Sequence, residues 1–138
     1  MSDRARTATQ TVEAGVRPDQ VFALLSDPTR LPAWAPAFAD RVERGPDGSW
    51  RVTRDTQQFE LRVVARPDAR TVDYLRTLGP GREGGAYVRA VPRPGGGTVI
   101  TMTVPVPPDV DPADTARDVL GELRALVNLL VVGQSPGT

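Results

Sequence analysis

From residue 38 to residue 105 the chain is written in short alternating runs, cut roughly every ten residues by glycine and proline. "FADRVER" ends at "GPDG", and "SWRVTRD" follows with Trp50, Val52 and Arg54 on one side. "FELRVVA" groups Phe59, Leu61, Val63 and Ala65 before a turn at "RPDAR", and "TVDYLRTL" runs into "GPGREGG". "AYVRAVPR" turns through "PGGG" into "TVITMTV", where Ile100, Met102 and Val104 alternate. Residues two apart share a face of a strand, so these runs have one apolar face each. Six of them joined by turn-forming links predict an antiparallel meander. Its apolar face has to be covered by something else in the chain.

The clearest cover is at the C-terminal end. Asp111 suits a helix N-cap and Pro112 the first helical position, with Asp114 and Asp118 in the positive first turns. Ala116, Leu120, Leu123, Val127 and Leu130 recur three and four apart, and Val119 and Leu126 widen that stripe. Arg117, Glu122, Arg124 and Asn128 lie largely off it. A helix of about five turns with so broad an apolar face belongs across the sheet. "GQSPGT" beyond it, 133–138, reads as a loose tail.

The other end supplies "RTATQTVEAGV" (6–16), alternating as a first strand, and "RPDQVFALLSD", a helix of about two turns with Pro18 in its first position. "SDPTRLPAWAPAF" (26–38) then sets Pro28, Pro32 and Pro36 around Trp34. Asp27 caps a second start, Pro32 ends it after one turn, and 31–37 is expected to be a stiff, bent connector.

With 138 residues and no linker, repeat or low-complexity block, a single domain over 1–138 is expected. The 17 acids balance 17 bases, which leaves neither the basic footprint of a nucleic-acid binder nor a cluster for an anionic membrane. Cysteine and histidine are absent and every base is arginine. Disulfides, thiolate and imidazole ligands, the thiol nucleophile and a Schiff-base lysine are therefore excluded. No metal and no cofactor is expected; chemistry here must run on carboxylates, tyrosines, hydroxyls, arginines and bound water. "MSDRARTATQ" lacks a signal peptide's apolar core, and the run 126–132 is far shorter than the ~20 residues of a membrane span. A cytoplasmic location is expected, and the arginine-only basicity fits a GC-rich bacterial genome.

Three apparent motifs fail on context. "GPGREG" (79–84) has dinucleotide-fingerprint spacing, but the run after it alternates like a strand where a helix is required. "GQSPG" (133–137) has the spacing of a hydrolase nucleophile elbow but no histidine to serve it. Asp109, Asp111 and Asp114 lack the glycine and distal glutamate of a calcium loop. Arg54 and Arg76 share parity with Trp50 and Tyr74, and two readings are open: buried structural ion pairs, or ligand contacts.

The order strand, two short helices, six strands, long helix resembles the START/polyketide-cyclase superfamily (SRPBCC, the helix-grip fold). "VRPDQVFALLSDPTRLPAWAP" (16–36) and the helix from Asp111 to Val131 carry the likeness. It implies an α+β fold in which a curved antiparallel sheet of about seven strands wraps the final helix, with two short helices between strands 1 and 2. It also implies a cavity between sheet and helix, of the kind that binds apolar ligands through a few polar groups. By parity its lining candidates are Trp34, Phe38, Trp50, Arg54, Phe59, Tyr74, Arg76, Tyr87, Met102, Leu123 and Val127, with Trp34 as a plug at the mouth, partly core and partly ligand wall. Plain core packing is the competing reading for Phe59, Met102, Leu123 and Val127, and the facing of Tyr74 and Tyr87 is open, since each of their strands has apolar residues of both parities.

Two functions follow from the resemblance. One is an intracellular carrier or binding protein for a small hydrophobic or aromatic molecule, with lipid transport in the family's range. The other is a polyketide cyclase or aromatase, with Arg54 or Arg76 stabilising an enolate and Tyr74 or Tyr87 relaying protons. No carboxylate is assigned to the pocket as base. A protein-interaction module with a filled cavity is a third alternative. No nucleic acid and no membrane span is expected, and the chain is expected as monomer or homodimer.

Overall fold

The computed structural model describes residues 6–133. Seven strands form one antiparallel sheet: β1 (Thr7–Ala14), β2 (Arg41–Arg44), β3 (Trp50–Arg54), β4 (Gln57–Arg66), β5 (Thr71–Gly79), β6 (Arg82–Pro92) and β7 (Thr98–Pro105). Their order, β1-β7-β6-β5-β4-β3-β2, is the expected meander with β1 added to its last strand. The "GPGREG" stretch is a hairpin turn: Pro80 and Gly81 link β5 to β6, with Gly81 at a φ of 69° that favours glycine.

Helix α1 (Pro18–Leu25) and helix α2 (Leu31–Trp34) lie between β1 and β2. Asp27 accepts from the Thr29 amide at 3.1 Å and caps a 3₁₀ turn, Pro28–Arg30, that leads into α2. Pro32 is therefore not a terminator, as the connector reading had it. It sits in the first turn of α2, where its missing N–H has no carbonyl to serve.

Helix α3 (Pro112–Gly133) has its first turn capped by Asp111, which accepts from the Ala113 amide at 2.9 Å. It packs along β1 and β7 and against α1 and α2. Val119, Leu123, Leu126 and Leu130 are buried against Val21, Val52, Val72, Ile100 and Met102. Three polar ties fix the layers: Gln10 donates to the Ala116 carbonyl at 3.0 Å, Thr98 to Val16 at 2.6 Å and Tyr74 to Leu25 at 2.6 Å. The architecture is the helix-grip α+β fold. Of the tail expected over 133–138, Gly133 ends α3 and residues 134–138 lie outside the described residues.

Candidate functional site

A cavity of about 270 Å³ opens between α2, strands β4 to β7 and the first half of α3. That is near the small end of the ~300–1,000 Å³ common for ligand pockets. Leu31, Trp34 and Ala35 of α2 and Phe38 beyond it form one wall; Leu61, Met102 and Val104 form the floor. Gly84 keeps the far wall low, because a Cβ there would lie 2.9 Å from Leu78 Cδ1. Leu78 itself is 44% exposed and forms part of the rim with Pro105 and Asp118.

Five polar side chains line this apolar space: Tyr74, Arg76, Thr115, Asp118 and Glu122. Tyr74 comes inward because β5 alternates Val72, Tyr74, Arg76 toward the core. Its hydroxyl is committed to the Leu25 carbonyl, and burial pushes its phenol well above the usual range. That tie leaves it a structural strut, with no free proton to relay.

Arg76 is held differently. Its guanidinium carbon lies 3.9 Å from the centroid of the Phe59 ring, a cation–π contact, between Leu61 on β4 and Gly84 on β6. No carboxylate among the described residues forms a salt bridge with it, and its buried Nε has no hydrogen-bond partner. Trp34 is 2% exposed, stands edge-on to Tyr74 with ring centroids 6.0 Å apart, and its indole N–H is likewise unpartnered.

Glu122 faces the cavity from α3. Burial, and secondarily the Asp118 carboxylate one turn earlier, push its carboxyl up to about 7. The helical stripe had placed Glu122 off the buried face, and the sequence reading assigned no carboxylate to the pocket. The missed signal is a second stripe, Thr115, Asp118, Glu122, spaced three and four along the same helix.

The structure brings five of the eleven sequence candidates onto the cavity: Trp34, Phe38, Tyr74, Arg76 and Met102. Phe59 stands behind the wall, with its ring 5.3 Å from Phe38 and against Arg76. Leu123 is core and Val127 packs half-buried beside it. Trp50 lies outside, with Arg44 4.9 Å from its ring. Arg54 closes β3, and its side chain turns to the connector before β2, donating to Ala37 at 2.9 Å and pairing with Asp55 at 2.9 Å. Tyr87 has the outward parity of Arg89, since Val88 and Ala90 are the buried residues of β6; it is 39% exposed. Trp34 is no plug at the mouth either; it is a fully enclosed wall.

A family model described as polyketide cyclase / dehydrase and lipid transport matches residues 5–131. Among curated protein sequences nothing matches. Similar solved structures include the Zhui aromatase/cyclase of a Streptomyces species, at 17% identity and TM-score 0.63, covering 91% of this chain and 93% of that one. A norcoclaurine synthase point mutant from Thalictrum, in complex with a transition-state analogue, aligns at 15% identity and TM-score 0.68, covering 98% and 99%. A START superfamily protein from Mycobacterium smegmatis aligns at 18% and 0.62, covering 91% and 94%. At these identities the likeness is one of fold.

Proposed function

Because the chain belongs to the polyketide cyclase / dehydrase and lipid transport family, we propose that it is a binding or carrier protein for a small hydrophobic or aromatic molecule carrying an oxygen acceptor. The observation behind this reading is that two residues lining one apolar cavity, Trp34 and Arg76, each hold a buried N–H donor without a partner, Nε1 and Nε. Buried donors are ordinarily satisfied, and each one left open costs ~1–3 kcal/mol. A ligand oxygen that accepts from both would recover that cost. The void of about 270 Å³ argues against the interaction module with a filled cavity. A single domain over 1–138 acting in the cytoplasm is in keeping with this reading.

One observation favours the cyclase reading as a second. Glu122 supplies the carboxylate such chemistry needs, near neutrality and on the same cavity. With a ketone oxygen held by Arg76 and Trp34, Glu122 would take a proton from the adjacent carbon. The C–H electron pair would form a C=C bond as the ketone's π pair moves onto its oxygen. The enolate carbon would then bond to a second carbonyl carbon of the same molecule, whose π pair moves onto its own oxygen and takes the proton back from Glu122, leaving a β-hydroxy ketone.

Native mass spectrometry of the purified protein tests the first reading: a co-purified small molecule supports it. Repeated apo masses, with no displacement of a pocket-bound dye, argue against it. Turnover of a poly-β-ketone mimic, lost in Arg76→Leu and kept in Arg54→Leu, would select the second.

A further inference from the structure

Two of the side chains that line the cavity carry a buried N–H donor with nothing to accept from it. Trp34 Nε1–H and Arg76 Nε–H are donors without partners, and the Tyr74 hydroxyl donates its hydrogen bond to the Leu25 carbonyl. The guanidinium of Arg76 stacks on the Phe59 ring and forms no salt bridge among the described residues, and a positive charge held part-buried without an anion is an unfavourable arrangement. Glu122 does not resolve this: no salt bridge among the described residues joins the two, and Arg76 is not among the causes of the Glu122 shift. Among the described residues, the one other anion lining the cavity is Asp118, which is exposed at the rim. Apart from Tyr74 and Arg76 on β5, the strands and α2 bring no titratable side chain to this space.

We propose that the ligand is a monoanion, a carboxylate on a flat apolar body, seated on Arg76 and Trp34, and that Glu122 takes up a proton as it binds. The inference deepens the carrier reading and rests on it. The carboxylate supplies the missing counter-charge to Arg76 and accepts from both orphan donors. Its negative charge in the same low-dielectric space then disfavours ionised Glu122. Protonated, Glu122 becomes a third donor, and the like-charge conflict with the ligand disappears. Because the Glu122 carboxyl is raised to about 7 in the free protein, it is partly ionised near neutral pH, and binding there takes up a fraction of a proton per ligand.

Naphthoate and its neutral isostere naphthamide, titrated by calorimetry into the full chain in phosphate and in Tris, separate the possibilities. The expected result is naphthoate binding at least ~10-fold tighter than naphthamide, a loss of that preference in Arg76→Gln, and proton uptake read from the buffer dependence of the enthalpy. Affinity for naphthoate should fall as pH rises from about 6 to 8, and that dependence should vanish in Glu122→Gln. Equal binding of acid and amide, or binding with no proton uptake, overturns the inference and leaves the carrier reading standing. If neither compound binds, while a neutral aromatic ketone such as tetralone does, the anion is refuted and the cavity is not. If none of the three binds, both fall. Circular dichroism and urea midpoints show whether each variant is folded.

Discussion

Replacing Glu122 with glutamine should make the protein more stable at neutral and alkaline pH, and the size of the gain should depend on pH in a defined way. Burial and Asp118 raise the Glu122 carboxyl from 4.5 to about 7 in the folded chain. Below about pH 4.5 the group is protonated in both folded and unfolded states and carries no penalty. Between there and about 7 the unfolded chain releases its proton while the folded chain holds it, so stability falls as pH rises. Above about 7 the penalty is complete, up to ~3 kcal/mol and smaller to the extent that solvent screens a half-buried group. Glutamine keeps the shape and cannot titrate. Urea unfolding of wild type and Glu122→Gln should therefore give similar free energies near pH 4.5 and curves that separate by up to ~3 kcal/mol near pH 8, the variant the more stable. A gap that stays constant across that range, or a variant that is less stable at high pH, would refute the reasoning. It would mean that Glu122 is solvated and that the cavity does not desolvate it. A gain in stability together with lost proton-linked binding is the pattern of a site kept strained for its ligand.

Other variants probe the surrounding structure. Tyr74→Phe should cost ~1–3 kcal/mol in urea unfolding, because it leaves the buried Leu25 carbonyl without its 2.6 Å donor. Thr98→Val should cost a similar ~1–3 kcal/mol, since Thr98 is fully buried and donates to Val16 at 2.6 Å. Gly84→Ala should weaken ligand binding with a stability change of less than ~1 kcal/mol. The new methyl meets the flexible end of Leu78, which can swing only by narrowing the cavity or its rim. Arg54→Leu should leave binding unchanged by calorimetry, because its guanidinium is engaged with Ala37 and Asp55 outside the cavity.

Much of the scaffold was legible because it depends on local rules. Alternation located the strands, "GPGREG" identified itself as a turn by the strand after it, and Asp27 and Asp111 announced the caps they make. Parity put Tyr74 and Arg76 on one face of β5 but left open whether that face was inward, since Val72 and Tyr74 compete with Leu75 as its apolar set; the structure turns the Val72, Tyr74, Arg76 side to the core. The same rule failed for Arg54, which ends its strand, where a long side chain can leave the face its parity assigns. It could not decide Tyr87, since Val88 and Ala90 compete with Tyr87 and Val91 as the apolar set of β6; burial of the even set decides it. Glu122 was missed for a different reason. An apolar stripe marks the part of a helix that packs, whereas a cavity is the place where packing stops. The helix flank bordering the void carries Thr115, Asp118 and Glu122, and hydrophobicity alone assigns those positions to solvent.

The central claim is that the Trp34 indole N–H and the Arg76 Nε–H wait for one ligand oxygen. The chain has two tryptophans, so its ¹⁵N-correlated spectrum carries two indole resonances, and Trp34→Phe identifies the one that matters. On titration with naphthoate the account predicts that the Trp34 indole proton moves downfield as it gains an acceptor, together with the Arg76 Nε–H. The Trp50 resonance, which is outside the cavity lining and beside Arg44, should stay in place. Saturable binding that moves Trp50 alone, or that leaves both indole signals and Arg76 Nε–H unmoved, would contradict it.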